Sequence, residues 1–170
     1  ILDGGNVPAG GVLGYVDNNN IVVRIENVTI TGQHNVKGAW NRINGGFVGH
    51  VGNVADNAPA NTSEFYFVDC LMSASTPTNN CNYGGFFGGH HNANGNWYTL
   101  SFVRCINNSD ITMGGNIGGF VGQCNAKSYY FEDCVNNGNI NSTGNQAGGF
   151  FGWGSGTGGS FKAIRCINNG

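Results

Sequence analysis

The chain alternates short apolar stretches with breaks rich in glycine and asparagine, and one such stretch returns five times. It reads Gly10-Gly11-Val12-Leu13-Gly14, Gly45-Gly46-Phe47-Val48-Gly49, Gly84-Gly85-Phe86-Phe87-Gly88, Gly118-Gly119-Phe120-Val121-Gly122 and Gly148-Gly149-Phe150-Phe151-Gly152. A spacing of about 30 to 39 residues marks a structural repeat, in which each unit buries its apolar side only against its neighbours. A second pattern keeps step with the first. Val68-Asp69-Cys70-Leu71, Val103-Arg104-Cys105-Ile106-Asn107-Asn108, Glu132-Asp133-Cys134-Val135-Asn136-Asn137 and Ile164-Arg165-Cys166-Ile167-Asn168-Asn169 each close an aromatic, β-branched run. Upstream, Ile25-Glu26-Asn27-Val28 takes the same phase, with Asn in the Cys place. The runs from Glu64, Thr99, Tyr129 and Phe161 to their cysteines read as strands bounded by Gly and Asn clusters.

This pattern predicts an all-β chain with almost no α-helix, folded as a parallel β-helix with right-handed crossovers. The repeats run approximately over 1–35, 36–75, 76–110, 111–139 and 140–170, within a single solenoid domain. Equivalent residues of adjacent rungs then stack about 4.8 Å apart. The position before the Cys reads Glu26, Asp69, Arg104, Asp133, Arg165, which predicts a ladder of opposite charges broken only where Glu26 meets Asp69. The Cys and the residue two before it should face inward together, as Val68, Val103 and Ile164 allow and Glu132 does not. Strict alternation puts Phe67, Phe102 and Phe131 on the charged face, leaving open either a bend or an aromatic outer surface. One hydrophobe of each glycine-framed pair should point inward, with Phe47, Phe86, Phe120 and Phe150 marking the repeat.

Composition narrows the picture further. Only 9% of the 170 residues are charged, 31 are Gly and Asn is nearly as abundant. Both residues tolerate left-handed backbone, which suits a fold with many corners. A net charge of -2 with seven Lys and Arg leaves no basic stripe, so nucleic acid is not an expected partner. Apolar runs are too short for a membrane span, and residues 1 to 20 lack a signal-peptide pattern. The chain opens and stops in mid-repeat, so it is expected to be a section of a longer chain or fibre, or a protomer whose ends others cover.

The Gly-Gly-Phe-Val-Gly unit with its intervening Cys-Ile-Asn-Asn resembles the GLUG-motif repeats of bacterial and protist surface proteins, over nearly the whole chain. The resemblance implies a β-solenoid stalk or adhesive region, extracellular or on the cell surface, with no catalytic residue. The first repeat departs from it, with Val12-Leu13 lacking an aromatic and Asn27 standing in place of Cys.

Candidate chemistry is sparse. Cys70, Cys105, Cys134 and Cys166 hold one phase and read as a column of buried thiols, with bridging inside the column as a strained alternative. Cys81 and Cys124 lie outside it. His90 and Cys124 share a phase, with His50 and His91 one position away, but no paired Cys-x-x-Cys or His-x-x-x-His spacing supports a metal site, and no cofactor is expected. Asp3, Asp17, Asp56 and Asp110 are scattered, unlike the clustered acids of a sugar-cleaving β-helix enzyme. Gly154-Ser155-Gly156-Thr157-Gly158-Gly159 matches a dinucleotide fingerprint in letters only, since a strand follows it. Sequons stand at Asn27, Asn61, Asn107 and Asn141, the last three as candidate glycan sites. Trp40, Trp97, Trp153, Tyr15, Tyr98 and Tyr129 lie in or beside loops, where rings could stack on sugars. The expected role is therefore a structural or adhesive module that contacts neighbouring copies of itself. A carbohydrate-binding surface is the alternative, and a carbohydrate-active enzyme comes third.

Overall fold

A computed structural model of the chain describes residues 2–3 (backbone only), 9–16, 20–36, 43–51, 63–76, 78–89, 98–154 and 159–170. Among these residues every regular element is a β-strand and every strand pairing is parallel. The chain winds through the same sequence of sheets on each turn, which makes it a parallel β-helix.

The first sheet stacks Val22–Glu26, Glu64–Val68, Thr99–Val103, Ser128–Glu132 and Ser160–Ile164. The second stacks Leu2–Asp3, Thr29–Asn35, Leu71–Ser75, Ile106–Asn107, Val135–Asn136 and Ile167–Asn168. The third consists of Ile43–Gly45, Asn82–Gly84, Ile117–Gly118 and Ala147–Gly148. The fourth consists of Leu13–Val16, Val48–Val51, Phe87–Gly89, Val121–Gln123 and Phe151–Trp153. A short pair, Ile111–Met113 with Ile140–Ser142, widens the later turns between the second and third sheets.

Register in the first sheet corrects the sequence reading by one residue in the earliest rung. Glu26 pairs with Val68 and Thr29 with Leu71, so Asn27 lies over Asp69 and Val28 over Cys70. The expected clash of Glu26 with Asp69 does not arise. The reason lies in the backbone: Asn27, Asp69, Arg104, Asp133 and Arg165 all have φ between 49° and 55°. The position before the Cys is a left-handed corner, which Asn occupies readily, whereas the inward place after it takes Val or Cys.

That corner also settles the choice between a bend and an outer aromatic surface. A left-handed residue breaks the period of two, so inward positions fall at Phe65 and Phe67 before the corner and at Cys70, Met72 and Ala74 after it. Val68, Val103 and Ile164, expected inside, are only half-buried, while Phe67, Phe102 and Phe131 are fully buried. The glycine-framed pair differs from expectation too. Phe47 and Val48, Phe86 and Phe87, and Phe120 and Val121 are all fully buried. The chain turns at the Gly-Phe step between the third and fourth sheets, so both neighbours face the interior.

Two columns of phenylalanine fill that interior. Phe47, Phe86, Phe120 and Phe150 stack with ring centroids 4.7, 4.7 and 4.9 Å apart and near-parallel planes. Phe67, Phe102 and Phe131 stack at 4.9 Å across the core. The columns meet edge to face at 5.4 to 5.9 Å. Offset stacks and T-shaped contacts are the arrangements that the ring quadrupole favours, so each ring gains contacts within its column and between columns.

Candidate functional site

The corner between the first and second sheets collects most of the singled-out residues. Inside it run the cysteines, all free; Cys70, Cys105 and Cys134 are buried and Cys166 is half-buried. Each thiol donates into the backbone. Cys70 reaches Ile25 O at 3.4 Å and Val68 O at 3.2 Å, Cys105 reaches Phe67 O and Val103 O at 3.4 Å, and Cys134 reaches Phe102 O at 3.4 Å and Glu132 O at 3.3 Å. Hydrogen bonding with Cys134 and Cys70, and then burial, push the Cys105 thiol far up from its ordinary value, so it stays protonated.

Outside the same corner stand the charges. Arg104 grips Asp69 through Nε at 2.6 Å and Nη2 at 2.7 Å. Arg165 grips Asp133 at 2.6 and 2.9 Å and also takes Glu132 at 2.7 Å. The intervening step, Arg104 to Asp133, has no ion pair at contact distance among the described residues, only a longer-range attraction. The Tyr130 hydroxyl and then Arg165 hold the Glu132 carboxyl below the usual range, and Arg165 does the same for Asp133. Acids held ionised in this way are poor proton donors, so the ladder offers no general acid.

The Asn-Asn turns that follow Cys105, Cys134 and Cys166 make two further ladders. In the buried one, Asn107 Nδ2 donates to Asn136 Oδ1 and Asn136 Nδ2 to Asn168 Oδ1, each at 2.7 Å. The second hydrogens go to Ser109 O and Gly138 O. On the surface, Asn169 donates to Asn137 and Asn137 to Asn108, each at 2.8 Å. The buried amides face the glycine-framed motif. A Cβ added at Gly119 would stand 2.4 Å from Asn136 Oδ1, and one at Gly149 would stand 2.0 Å from Asn168 Oδ1. In the earlier rung, Met72 fills the space beside Gly46. The two sequence patterns keep step because they are the two walls of one packed layer.

This arrangement removes Asn107 from the glycan candidates, because its side chain is fully buried and spent on the ladder. Asn141 is exposed on the strand Ile140–Ser142. Asn61 lies outside the described residues, as do Asp17, Asp56, His90, His91, Trp40, Trp97 and residues 155–158. Asn27 is exposed at its corner rather than replacing an inward Cys. Asp110 caps the Asn139 amide at 2.8 Å.

A polar pair that sequence reasoning did not single out sits deep in the early turns. His34 Nδ1 meets the Tyr83 hydroxyl at 2.7 Å, both buried. Burial alone lowers the His34 pKa from 6.5 to about 4, so the ring is neutral at pH 7. His34 Nε2 and the nearby Asn44 Nδ2 have no hydrogen-bond partner among the described residues. Nothing in the periodic pattern distinguishes His34, which stands at an inward place of an otherwise ordinary polar strand.

One register column of the fourth sheet carries Tyr15, His50, Gly89, Gln123 and Trp153. Tyr15 is 47% exposed and stacks on His50 with centroids 5.3 Å apart. Tyr98 and Tyr129 are buried, so neither ring is free to stack on a sugar, and Phe161 is exposed on the last strand of the first sheet. Among the described residues no group of three or more His, Cys, Asp or Glu gathers as a metal site, and no helix is long and apolar enough to cross a membrane. No protein-family model, curated protein or solved structure matches the chain.

Proposed function

We propose that the chain is a structural module, a section of an extracellular or surface β-solenoid of the kind that GLUG-motif repeats imply, and that it joins neighbouring copies end to end. The carrying observation is where its chemistry goes. The thiols of Cys70, Cys105 and Cys134, the amides of Asn107 and Asn136, and the pairs Arg104–Asp69 and Arg165–Asp133 all bond along the axis from one rung to the next. The reading assigns no catalytic residue.

The register supports assembly. Ser160–Ile164 and Ile167–Asn168 repeat the parallel pairing of the rungs before them, so a further copy of the same rung pattern can add by the same strand pairing. Sedimentation of the chain should show elongated, concentration-dependent multimers. Phe161→Glu combined with Ile167→Lys should yield a monomeric rod with an unchanged β-sheet spectrum. A wild-type chain that stays monomeric at all concentrations contradicts the assembly.

The second reading, a carbohydrate-binding surface, draws on one observation, the exposed Tyr15 ring stacked on His50 in the register column that ends at Trp153. Glycan-array binding that falls on Tyr15→Ala and Trp153→Ala supports it. A blank array removes it.

A further inference from the structure

The four in-register cysteines set thiols at a spacing that suits a bridging ion better than a covalent bond. Cys70, Cys105 and Cys134 each meet the same pair of backbone carbonyls at nearly the same distances, so their sulfurs occupy equivalent places in successive rungs. Cys166 repeats the nearer contact, at 3.3 Å to Ile164 O. The rung repeat, read from the stacked phenylalanines, is 4.7 to 4.9 Å. A disulfide brings two Cβ atoms to about 3.8 Å with sulfurs about 2.05 Å apart. In-register side chains of one rotamer stand about an ångström too far apart for that, so the bond would require the strands to shift. Two d10 thiolate bonds of about 2.3 Å laid end to end span about 4.6 Å, close to the rung repeat.

We propose that adjacent thiols of the column, Cys70 with Cys105 and Cys134 with Cys166, bind soft d10 cations as linear bis-thiolate bridges, two ions per chain. Thiolates select such soft ions over hard ones. When a divalent ion enters, each of its two sulfurs loses one proton to solvent and the S–metal–S bridge is neutral, so no net charge is buried. A monovalent ion would leave one negative charge in a dry core, at greater cost. Cys166 lies half-buried at the last rung of the column. Val28, stacked over Cys70, closes the other end of the column. Cys81 and Cys124 serve as internal controls, since Cys81 faces Met113 Sδ at 3.3 Å and Cys124 is buried away from the column.

The test is titration of the folded chain with mercuric ion, reading charge-transfer absorbance, proton release and X-ray absorption. The expected result is two ions per chain, two protons released per ion, and two sulfurs at about 2.3 Å around each. Cys105→Ser with Cys166→Ser leaves Cys70 and Cys134 two rungs apart and should lose both bridges. Cys134→Ser with Cys166→Ser leaves as many thiols but one adjacent pair, and should keep one. Cys81→Ser with Cys124→Ser should keep both. Equal binding by all three variants, or single-sulfur coordination in the unmodified chain, means adventitious capture by separate thiols and overturns the proposal. The X-ray absorption is read on the unmodified chain, so a variant that fails to fold leaves the test standing.

Discussion

Asn136 holds the centre of the buried amide ladder, accepting from Asn107 and donating to Asn168 and Gly138 O. Asn136→Ala removes these bonds and leaves the Asn107 amide without its acceptor in a dry layer. Urea denaturation should show a loss of about 3 kcal/mol, since an unmade buried hydrogen bond costs more than a made one contributes. His34 gives a different signature. Its folded pKa of about 4 lies below its ordinary 6.5, so the unfolded chain binds more protons between those values. The contribution is fully present above pH 6.5 and falls as pH drops towards 4, by about 3 kcal/mol in all. His34→Gln should flatten the stability profile across that window; an unchanged profile would mean that His34 is hydrated. At this scale the sequence was partly legible. The Cys phase was visible because Cys70, Cys105, Cys134 and Cys166 recur, but the left-handed corner beside them was not, because Arg104 and Arg165 are residues that rarely adopt it. The equation of Asn27 with Cys followed from that blind spot. His34 was missed because a single buried imidazole leaves no periodic trace.

Among the elements, the Gly-Phe corner and the Asn turn stabilise each other across the core. Gly119 has Gly149 O and Asn136 Oδ1 within 2.1 and 2.4 Å of where a Cβ would stand. Gly119→Ala should therefore cost about 3 kcal/mol or prevent folding, read as a lower urea midpoint, whereas Gly32→Ala has open space and only its φ of 89° to strain. Phe102 stacks on Phe67 and Phe131 and meets Phe86 and Phe120 edge-on. Phe102→Ala should lose about 3 to 5 kcal/mol. The strands themselves were legible from their aromatic, β-branched runs. Which way those aromatics faced was not, because one residue of left-handed backbone flips the phase of everything before it relative to everything after.

For the whole molecule, ladders of four kinds run along one axis, and that is why the fold was readable from repetition alone while its partners were not. A period states that rungs stack; it does not state what meets the last one. The strands Ser160–Ile164 and Ile167–Asn168, with the amide ladder ending at Asn168 and Asn169, present the pattern that each earlier rung presents to its successor. The most direct test is electron cryomicroscopy of the chain at near-physiological salt. The account predicts rods joined end to end, with an axial repeat of about 4.8 Å that continues across each junction. Separate particles without that repeat, or layers joined side by side through the sheet faces, would contradict it.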